Sequence, residues 1–357
     1  MVTKEAPNKS FRPLRFLVTW TSVIYLLALA GVLYGLEHCS ERQWFLGALI
    51  YLPREGWLLP LGALLPLGLL IRPVVCLLHA AAVALVLFGF DHSPTAPITA
   101  RATSTRPALT VVTANLGQRK LRTLLPFLKA QAPDLIAFQE VAVSRKGFSL
   151  EDAAYATRVE GEFSIASKLR IRNSGIVPDL TFEGRPVAAW FELEFEDRPV
   201  IVYSVHMPTP RSYLLNLRGN GFLASVMSGG GLLSDSAREE YQYYWSSRFE
   251  LARGLLAALK NEKRPVLIVG DFNTPDRGGL YELFTAQWID SFAAAGSGSG
   301  DTFPGDLHGR AAEFGLWLRL DYLFAANGWQ PVECSVEPLV RAQHLAVAGT
   351  FELAGAK

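Results

Sequence analysis

The sequence predicts an α/β domain of mixed β-sheets packed on each other with helices outside, carried behind an apolar N-terminal region that crosses a membrane. Three observations predict this. Short β-branched runs alternate with amphipathic stretches from about residue 108 onward. Two of these runs, Pro186 to Phe195 and Val200 to Val205, flank Asp197-Arg198 as a hairpin would, so the sheets are not purely parallel. The apolar excess of the chain is concentrated in its first 90 residues. Half of the 357 residues are hydrophobic and only 19% are charged, which excludes a disordered or fibrous protein. The length accommodates one large or two ordinary domains. A net charge of +1 argues against a nucleic-acid footprint spread over the whole chain. Cys39, Cys76 and Cys334 are too few and too scattered for a disulfide framework or a thiolate metal cage.

From Phe16 to Leu36 run 21 residues without a charge, about the ~20 that a helix needs to cross a ~30 Å hydrocarbon core. The rival reading is a signal peptide, whose apolar region has about 7 to 15 residues and ends at small residues. This run ends in Gly-Leu-Glu-His. Gln43 to Leu52, Gly56 to Ile71 and Pro73 to Phe90 are three further uncharged runs, separated by Arg54, Glu55 and Arg72. The first is too short to cross alone. The second carries Pro60 and Pro66, which membrane helices tolerate when neighbours satisfy the freed carbonyls. Three spans centred near residues 26, 63 and 82 are therefore expected.

Lys4, Lys9, Arg12 and Arg15 precede the first span, whereas Glu37, Glu41 and one Arg42 follow it, which places the N-terminus in the cytoplasm. An odd number of crossings sets everything after Phe90 on the outer side and puts Arg72 at a cytoplasmic turn. An extra crossing through residues 43–52 would invert the arrangement. Trp20, Trp44 and Trp57 are candidate interfacial anchors, with a buried packing role the equal alternative for Trp20. Residues 1–92 thus read as a membrane anchor and 93–107, rich in Pro, Ser, Thr and Ala, as a linker. Residues 108–357 read as the soluble domain. From Arg101 onward there are 27 basic and 28 acidic residues, so the surface of that domain is not strongly basic.

Within the soluble domain Leu109 to Ala114 reads as extended, Leu121 to Ala130 as helical and Leu135 to Gln139 as extended. Tyr241 to Lys260 reads as a long helix and Val266 to Val269 as a buried strand. Leu320 to Phe324 and Leu345 to Phe351 are late strands. Pro208 to Glu240 has no clear period and contains Gly229-Gly230-Gly231 with Phe222, Leu223 and Met227, the pattern of a functional loop or a disordered one. A lid that touches the membrane is one reading of it; a surface insertion without a role is the other.

Polar residues close the apolar runs: Asn115 after Val111 to Ala114, Gln139-Glu140 after Leu135 to Phe138, His206 after Val200 to Val205, and Asp271-Phe272-Asn273 after Val266 to Gly270. Asp321 precedes Tyr322-Leu323-Phe324, and His344 opens the last strand. Strand ends on one rim are where a rigid scaffold converges side chains on a ligand. Taken singly, each is explained as well by a turn or a solvated carboxylate. The ordered set is what points to a site.

That ordered set resembles the endonuclease/exonuclease/phosphatase superfamily over roughly Ala108 to Leu353. The resemblance rests on Thr113-Ala114-Asn115-Leu116-Gly117, Phe138-Gln139-Glu140-Val141, Ser204-Val205-His206-Met207-Pro208, Gly270-Asp271-Phe272-Asn273-Thr274-Pro275, Asp301-Thr302-Phe303-Pro304 and Arg319-Leu320-Asp321-Tyr322-Leu323-Phe324. It implies a four-layer α/β sandwich with the site at one end of the paired sheets, and metal-dependent hydrolysis of phosphate esters. By that resemblance Glu140 looks like the main ligand of Mg²⁺, or alternatively Mn²⁺, with Asn115 beside it; a hard cation takes such oxygens and keeps several waters. Asp271 resembles the residue that orients or deprotonates the attacking water, and Asn273 the one that holds the water and the phosphate. Asp321 resembles the partner of His344, fixing its tautomer, and His206 a hydrogen-bond donor to the phosphate or the leaving oxygen.

One motif departs from the family pattern. Where Ser-Asp-His is usual, this chain has Ala342-Gln343-His344, which removes a negative charge beside the metal and implies weaker, or single, metal binding. The resemblance implies a phosphate ester as substrate, and tethering beside a bilayer raises the effective concentration of a lipid one. An anchored nuclease on extracytoplasmic nucleic acid, or a catalytically silent binding module, are the alternatives. No obligatory protein partner is implied.

Overall fold

A computed structural model describes residues 12–89, 106–117, 121–141, 153–215, 235–298, 300–304, 315–338 and 342–354. The chain divides into two units, Met1–His92 and Ser93–Lys357. The linker expected over 93–107 lies outside the described residues apart from Arg106 and Pro107, as does the Gly-rich part of the 208–240 segment.

The first unit is helical throughout its described length. Helix α1 (Arg12–His38) has 27 residues, about 40 Å of helix at 1.5 Å per residue. A six-residue helix α2 (Trp44–Leu49) follows, then α3 (Leu61–Ile71) and α4 (Cys76–Gly89). Two helical runs are long and apolar enough to cross a membrane, Arg12–His38 and Arg54–Ile71. The third expected span, Pro73 to Phe90, is helical over its 17 described residues, Pro73–Gly89, as the 3₁₀ turn Pro73–Val75 continued by α4. Residues 43–52 hold only the six-residue α2, too short to cross a bilayer. Their Leu46, Ile50 and Tyr51 are buried in the same unit. Helices α1 and α4 are joined by a buried hydrogen bond between Ser22 Oγ and His79 Nε2 at 2.8 Å.

In the second unit, period-two alternation builds two sheets. The first contains β1 (Ala108–Asn115), β2 (Leu135–Gln139), β3 (Ala156–Glu160), β4 (Phe163–Ser167), β13 (Trp329–Val336) and β14 (Val347–Leu353), in the order β13-β14-β1-β2-β4-β3. The second contains β5 (Arg170–Ile176), β8 (Ala188–Phe195), β9 (Arg198–His206), β10 (Val266–Asp271), β11 (Ile289–Asp290) and β12 (Asp321–Ala326), in the order β11-β12-β10-β9-β8-β5. A short ribbon pairs β6 (Thr181–Phe182) with β7 (Arg185–Pro186). Each sheet has a parallel pair at its centre, β1 with β2 and β9 with β10, and antiparallel neighbours outside it.

Leu109, Val111, Leu135 and Ala137 of one sheet face Val200, Val202, Leu267 and Val269 of the other in the central core. The alternate residues point outward. Val112, Ala114, Ile136 and Phe138 lie under Phe127 and Leu128 of α5 (Leu125–Gln131). Ile201, Val205, Ile268 and Phe324 lie under α7 (Asp235–Leu259) and α8 (Gly279–Thr285), through Ala252, Leu255, Leu280 and Phe284. Between β9 and α7 lies the single turn α6 (Arg211–Leu215), and a second single turn, α9 (Ser291–Ala295), follows β11. The result is the four-layer α/β sandwich.

The hairpin between β8 and β9 turns at Glu196-Asp197, both at positive φ (49° and 58°), as the twist of a two-residue hairpin loop requires. The helix expected from Leu121 is one 3₁₀ turn and then α5 from Leu125, because Pro126 fits only the first turn of a helix, where its missing N–H is no loss.

The inward rows explain where the site lies. Along β1 the core-facing series is Leu109, Val111, Thr113, Asn115; along β9 it is Val200, Val202, Ser204, His206; along β10 it is Leu267, Val269, Asp271. Each series runs out into a polar residue at the same end. His206, Asp271 and Asp321 are register partners across β9, β10 and β12, so they stand side by side. Below them Gln139 Nε2 donates to Ser204 Oγ at 2.9 Å, and Thr113 Oγ1 donates to Gln139 Oε1 at 3.3 Å, closing the space between the sheets with a buried polar layer.

Gly270 precedes Asp271 at φ +137°, and a Cβ there would lie 2.0 Å from the carbonyl oxygen of Val205. Gly270→Ala should therefore destabilise the protein by about 3 kcal/mol or more in thermal unfolding. Gly298→Ala, also at positive φ but in open space, should cost only about 1 kcal/mol. Equal penalties for the two would contradict the close approach of β9 and β10.

Candidate active site

Asp271 is 1% exposed and sits where the two sheets meet. A buried carboxylate persists as an anion only with hydrogen-bond donors around it, and this one has them. Asn115 Nδ2 donates to Oδ2 at 2.9 Å from the opposite sheet, the Asn273 backbone N–H donates to Oδ1 at 2.8 Å, and Asn273 Nδ2 donates to Oδ2 at 3.2 Å. Asn273 also donates to the Met207 carbonyl at 2.9 Å, which places its amide behind Asp271 and ties the turn after β10 to the end of β9.

Two imidazoles flank Asp271, each anchored through Nδ1 to its own carboxylate. His206 Nδ1 is 2.7 Å from Glu162 Oε1, and His344 Nδ1 is 2.9 Å from Asp321 Oδ2. That leaves both Nε2 atoms facing the site, 3.9 Å and 3.7 Å from Asp271 Oδ2. Burial alone would lower both pKa values. For His344 it is outweighed by the charges of Asp321 and Asp271 and the hydrogen bond to Asp321, which push the imidazole up to about 9. For His206 the bond to Glu162 and the charges of Asp271, Glu162 and Glu140 likewise win, and the shift is upward.

Glu140 stands at the mouth, with its side chain 42% exposed and its Oε1 3.5 Å from His206 Nε2. Its φ of +55° turns the chain sharply at the end of β2. Asn115 Nδ2 donates to Glu140 Oε1 at 3.1 Å, so one amide bridges Glu140 and Asp271. The recess beside Glu140 is kept open by a glycine. A Cβ on Gly117 would meet Glu140 Oε2 at 3.5 Å, Asn115 Oδ1 at 3.6 Å and the Gln343 amide at 3.6 Å. A hard divalent cation fits this donor set, taking one carboxylate and one amide oxygen and completing its shell with water and substrate. Gln343 is satisfied when its carbonyl oxygen accepts from both Nη atoms of Arg211, which turns its amide nitrogen toward the recess in place of a ligand oxygen.

Ligand atoms of Asp271, Asp321 and His344 also lie within 4.8 Å of one another, close enough to surround a cation. Two of the three already share a hydrogen bond, so this trio can hold a proton as well as a cation, and Glu140 with Asn115 forms a second donor set that could take a metal.

The seven residues singled out in the sequence, Asn115, Glu140, His206, Asp271, Asn273, Asp321 and His344, are thus brought together. Two further residues were not singled out. Glu162 lies in the turn between β3 and β4 and reaches His206 only because β4 pairs with β2; nothing local marks it. Arg248 is fully buried on α7, with one Nη donating to the carbonyls of Phe272 (3.2 Å) and Asn273 (2.6 Å) and to Thr274 Oγ1 (2.7 Å). It clamps the turn that carries Asp271 and Asn273. Its signal was legible as a charge on the apolar stripe formed by Trp245, Ala252 and Leu255.

The model of the endonuclease/exonuclease/phosphatase family matches residues 112–342. The chain belongs to that family. Members of the endonuclease/exonuclease/phosphatase family are metal-dependent nucleases and phosphatases, and the buried acidic and histidine cluster of this member accords with divalent-metal chemistry. Among solved structures, a humanized D. rerio TDP2 carrying 14 mutations is 16% identical, with a TM-score of 0.50 over 69% of this chain and 99% of its own. An endonuclease/exonuclease/phosphatase from Bacteroides vulgatus is 15% identical, with a TM-score of 0.50 over 70% of this chain and all of its own. These likenesses are of fold. No curated protein matches the chain.

Because His344 binds its proton more tightly in the folded state, the stabilisation it brings is complete below its ordinary pKa of 6.5 and is lost as pH rises through about 9. In EDTA, the drop in thermal midpoint caused by Asp321→Asn should therefore be greatest below pH 6.5 and shrink above about 9. A penalty independent of pH would show that the pair does not hold a proton.

Proposed function

We propose that this protein is a metal-dependent hydrolase of phosphate esters, a phosphodiesterase or phosphatase, anchored in a membrane with residues 108–357 on the extracytoplasmic side. The observation that carries the chemistry is the position of Asp271. It accepts from Asn115, which also holds Glu140, and it faces the free Nε2 atoms of two carboxylate-anchored imidazoles. Asp271 orients a water and takes its proton, a role worth about 10²–10⁴-fold in rate. His344, kept protonated by Asp321, donates to a phosphoryl oxygen. His206, set by Glu162, donates to the leaving oxygen. Glu140 and Asn115 would hold Mg²⁺, or Mn²⁺, which neutralises charge gathering on the phosphoryl oxygens. Asn273 and Arg248 keep Asp271 in place.

The anchoring reading is supported by the two long apolar helices and by the charge difference between the ends of α1. Pro73–Gly89, at 17 residues, is at the short end of what crosses a bilayer, and with it the crossings number three. Confinement beside a bilayer favours a lipid phosphate ester as substrate. The near-neutral domain offers little of the Lys and Arg density on which nonspecific duplex binding depends.

The purified full chain, in detergent, should hydrolyse bis-p-nitrophenyl phosphate and phospholipid vesicles with Mg²⁺ and lose that activity in EDTA. Asp271→Ala should fall about 10²–10⁴-fold, and Gln343→Asp should lower the Mg²⁺ concentration needed for half-maximal rate. Plasmid nicking without lipid turnover would make it a nuclease. No hydrolysis of any substrate, with Asp271→Ala indistinguishable from wild type, would make it a silent binding module.

Protease added to sealed right-side-out vesicles should remove the 108–357 domain. Protection of the domain there would invert the topology.

A further inference from the structure

We propose that the basic end of the helical unit binds the phosphate-bearing head group of an anionic phospholipid. Arg12 and Arg15, on the first described turn of α1, and Arg72, in the turn between α3 and α4, line one cavity of about 570 Å³ together with Phe16, Ile71 and Val74. Among the described residues no carboxylate lines it, the first turn of α1 holds no acidic residue, and none of the three arginines is in an ion pair. Three guanidinium groups in one recess repel one another, and an anion relieves that repulsion. Arginine is also the side chain whose planar fork matches two phosphate oxygens at once.

The recess is held in place from both sides. Arg72 Nη1 donates to Thr19 Oγ1 at 3.0 Å, and Thr19 Oγ1 donates to the Arg15 carbonyl at 2.7 Å, so the turn after α3 is tied to the start of α1. The segment between α1 and α3 is of mixed charge: Glu37, at the end of α1, Glu41 and Glu55 occur there with Arg42 and Arg54, and Arg54 pairs with Glu55 at 3.0 Å. Among the described residues of this unit, the cationic excess lies with Arg12, Arg15 and Arg72 at the cavity.

The lining distinguishes a lipid from a soluble anion. Phe16 and Val74 are 65% and 59% exposed beside the arginines, so charge and apolar surface share one mouth, as the boundary between head groups and acyl chains demands. Basic recesses between apolar helices on the cytoplasmic side, where anionic lipids concentrate, take such head groups. This assignment rests on α1 and α3 being membrane spans and is independent of any hydrolytic activity.

The test is native mass spectrometry of the detergent-solubilised full chain titrated with phosphatidylglycerol or phosphatidylcholine. One phosphatidylglycerol should bind at least tenfold more tightly than phosphatidylcholine. Arg15→Gln with Arg72→Gln should remove that preference, and Thr19→Val, which leaves every charge in place but frees Arg72, should weaken it several-fold. Equal affinity for the two lipids, or a preference that survives the double substitution, would overturn the proposal. Displacement of the lipid by an equal concentration of inorganic phosphate would also overturn it, reassigning the recess to a soluble anion. Release of the chain from membranes by alkaline carbonate would remove the spans themselves and the proposal with them. Loss of phosphatidylglycerol selectivity in a chain that resists extraction sinks the lipid site alone.

Discussion

A single buried carboxylate sets the terms for the rest of the soluble unit. Asp271 lies at the meeting of two sheets with almost no access to water, and an ion in that position is costly unless donors replace its solvent. The fold supplies them from separate parts of the chain: Asn115 from the facing sheet, the backbone and amide of Asn273 from its own turn. Arg248 fixes that turn by holding the carbonyls of Phe272 and Asn273. Gly270 lets β10 come close enough to β9 for Asp271 to stand beside His206.

Both histidine–carboxylate pairs also cross between the sheets. His206 is on β9 and its Glu162 is in the turn of the opposite sheet, whereas Asp321 is on β12 and its His344 leads into β14. The groups that would perform the chemistry are thus among the polar ties that align one sheet on the other. A side chain that loses its partner there would disturb alignment as well as reactivity, and the protonation of each imidazole is inseparable from the geometry that brings its carboxylate near.

Much of this was legible in the sequence because it follows from period-two alternation. β2 was expected over the residues it occupies, and β1, β8, β9, β10, β12 and β14 differ from expectation only at their ends. The polar residues that close these strands point inward because they continue core-facing rows. The strands from Ala156 to Ile176 were missed. β3 is largely solvent-facing and carries Thr157, Arg158 and Glu160, and β5 carries Arg170, Arg172 and Asn173, so neither shows an apolar period. Glu162 was missed with them, since its role depends on long-range pairing of β4. In the helical unit composition marked the apolar runs, and what it did not mark was the 3₁₀ turns that open two of them, Arg54–Leu58 and Pro73–Val75.

The layer formed by Thr113, Gln139 and Ser204 has a consequence for how the domain could change over time. It is a gasket: above it stand the polar side chains of the site, below it the inter-sheet space is lined by apolar residues, and the amide of Gln139 lets the two regimes meet with its own oxygen and nitrogen both paired. Residues on the upper side can be exchanged for others of different reactivity while the hydrocarbon interior beneath stays as it is. One rim can thus be rewritten for a new ester without the sandwich having to be rebuilt.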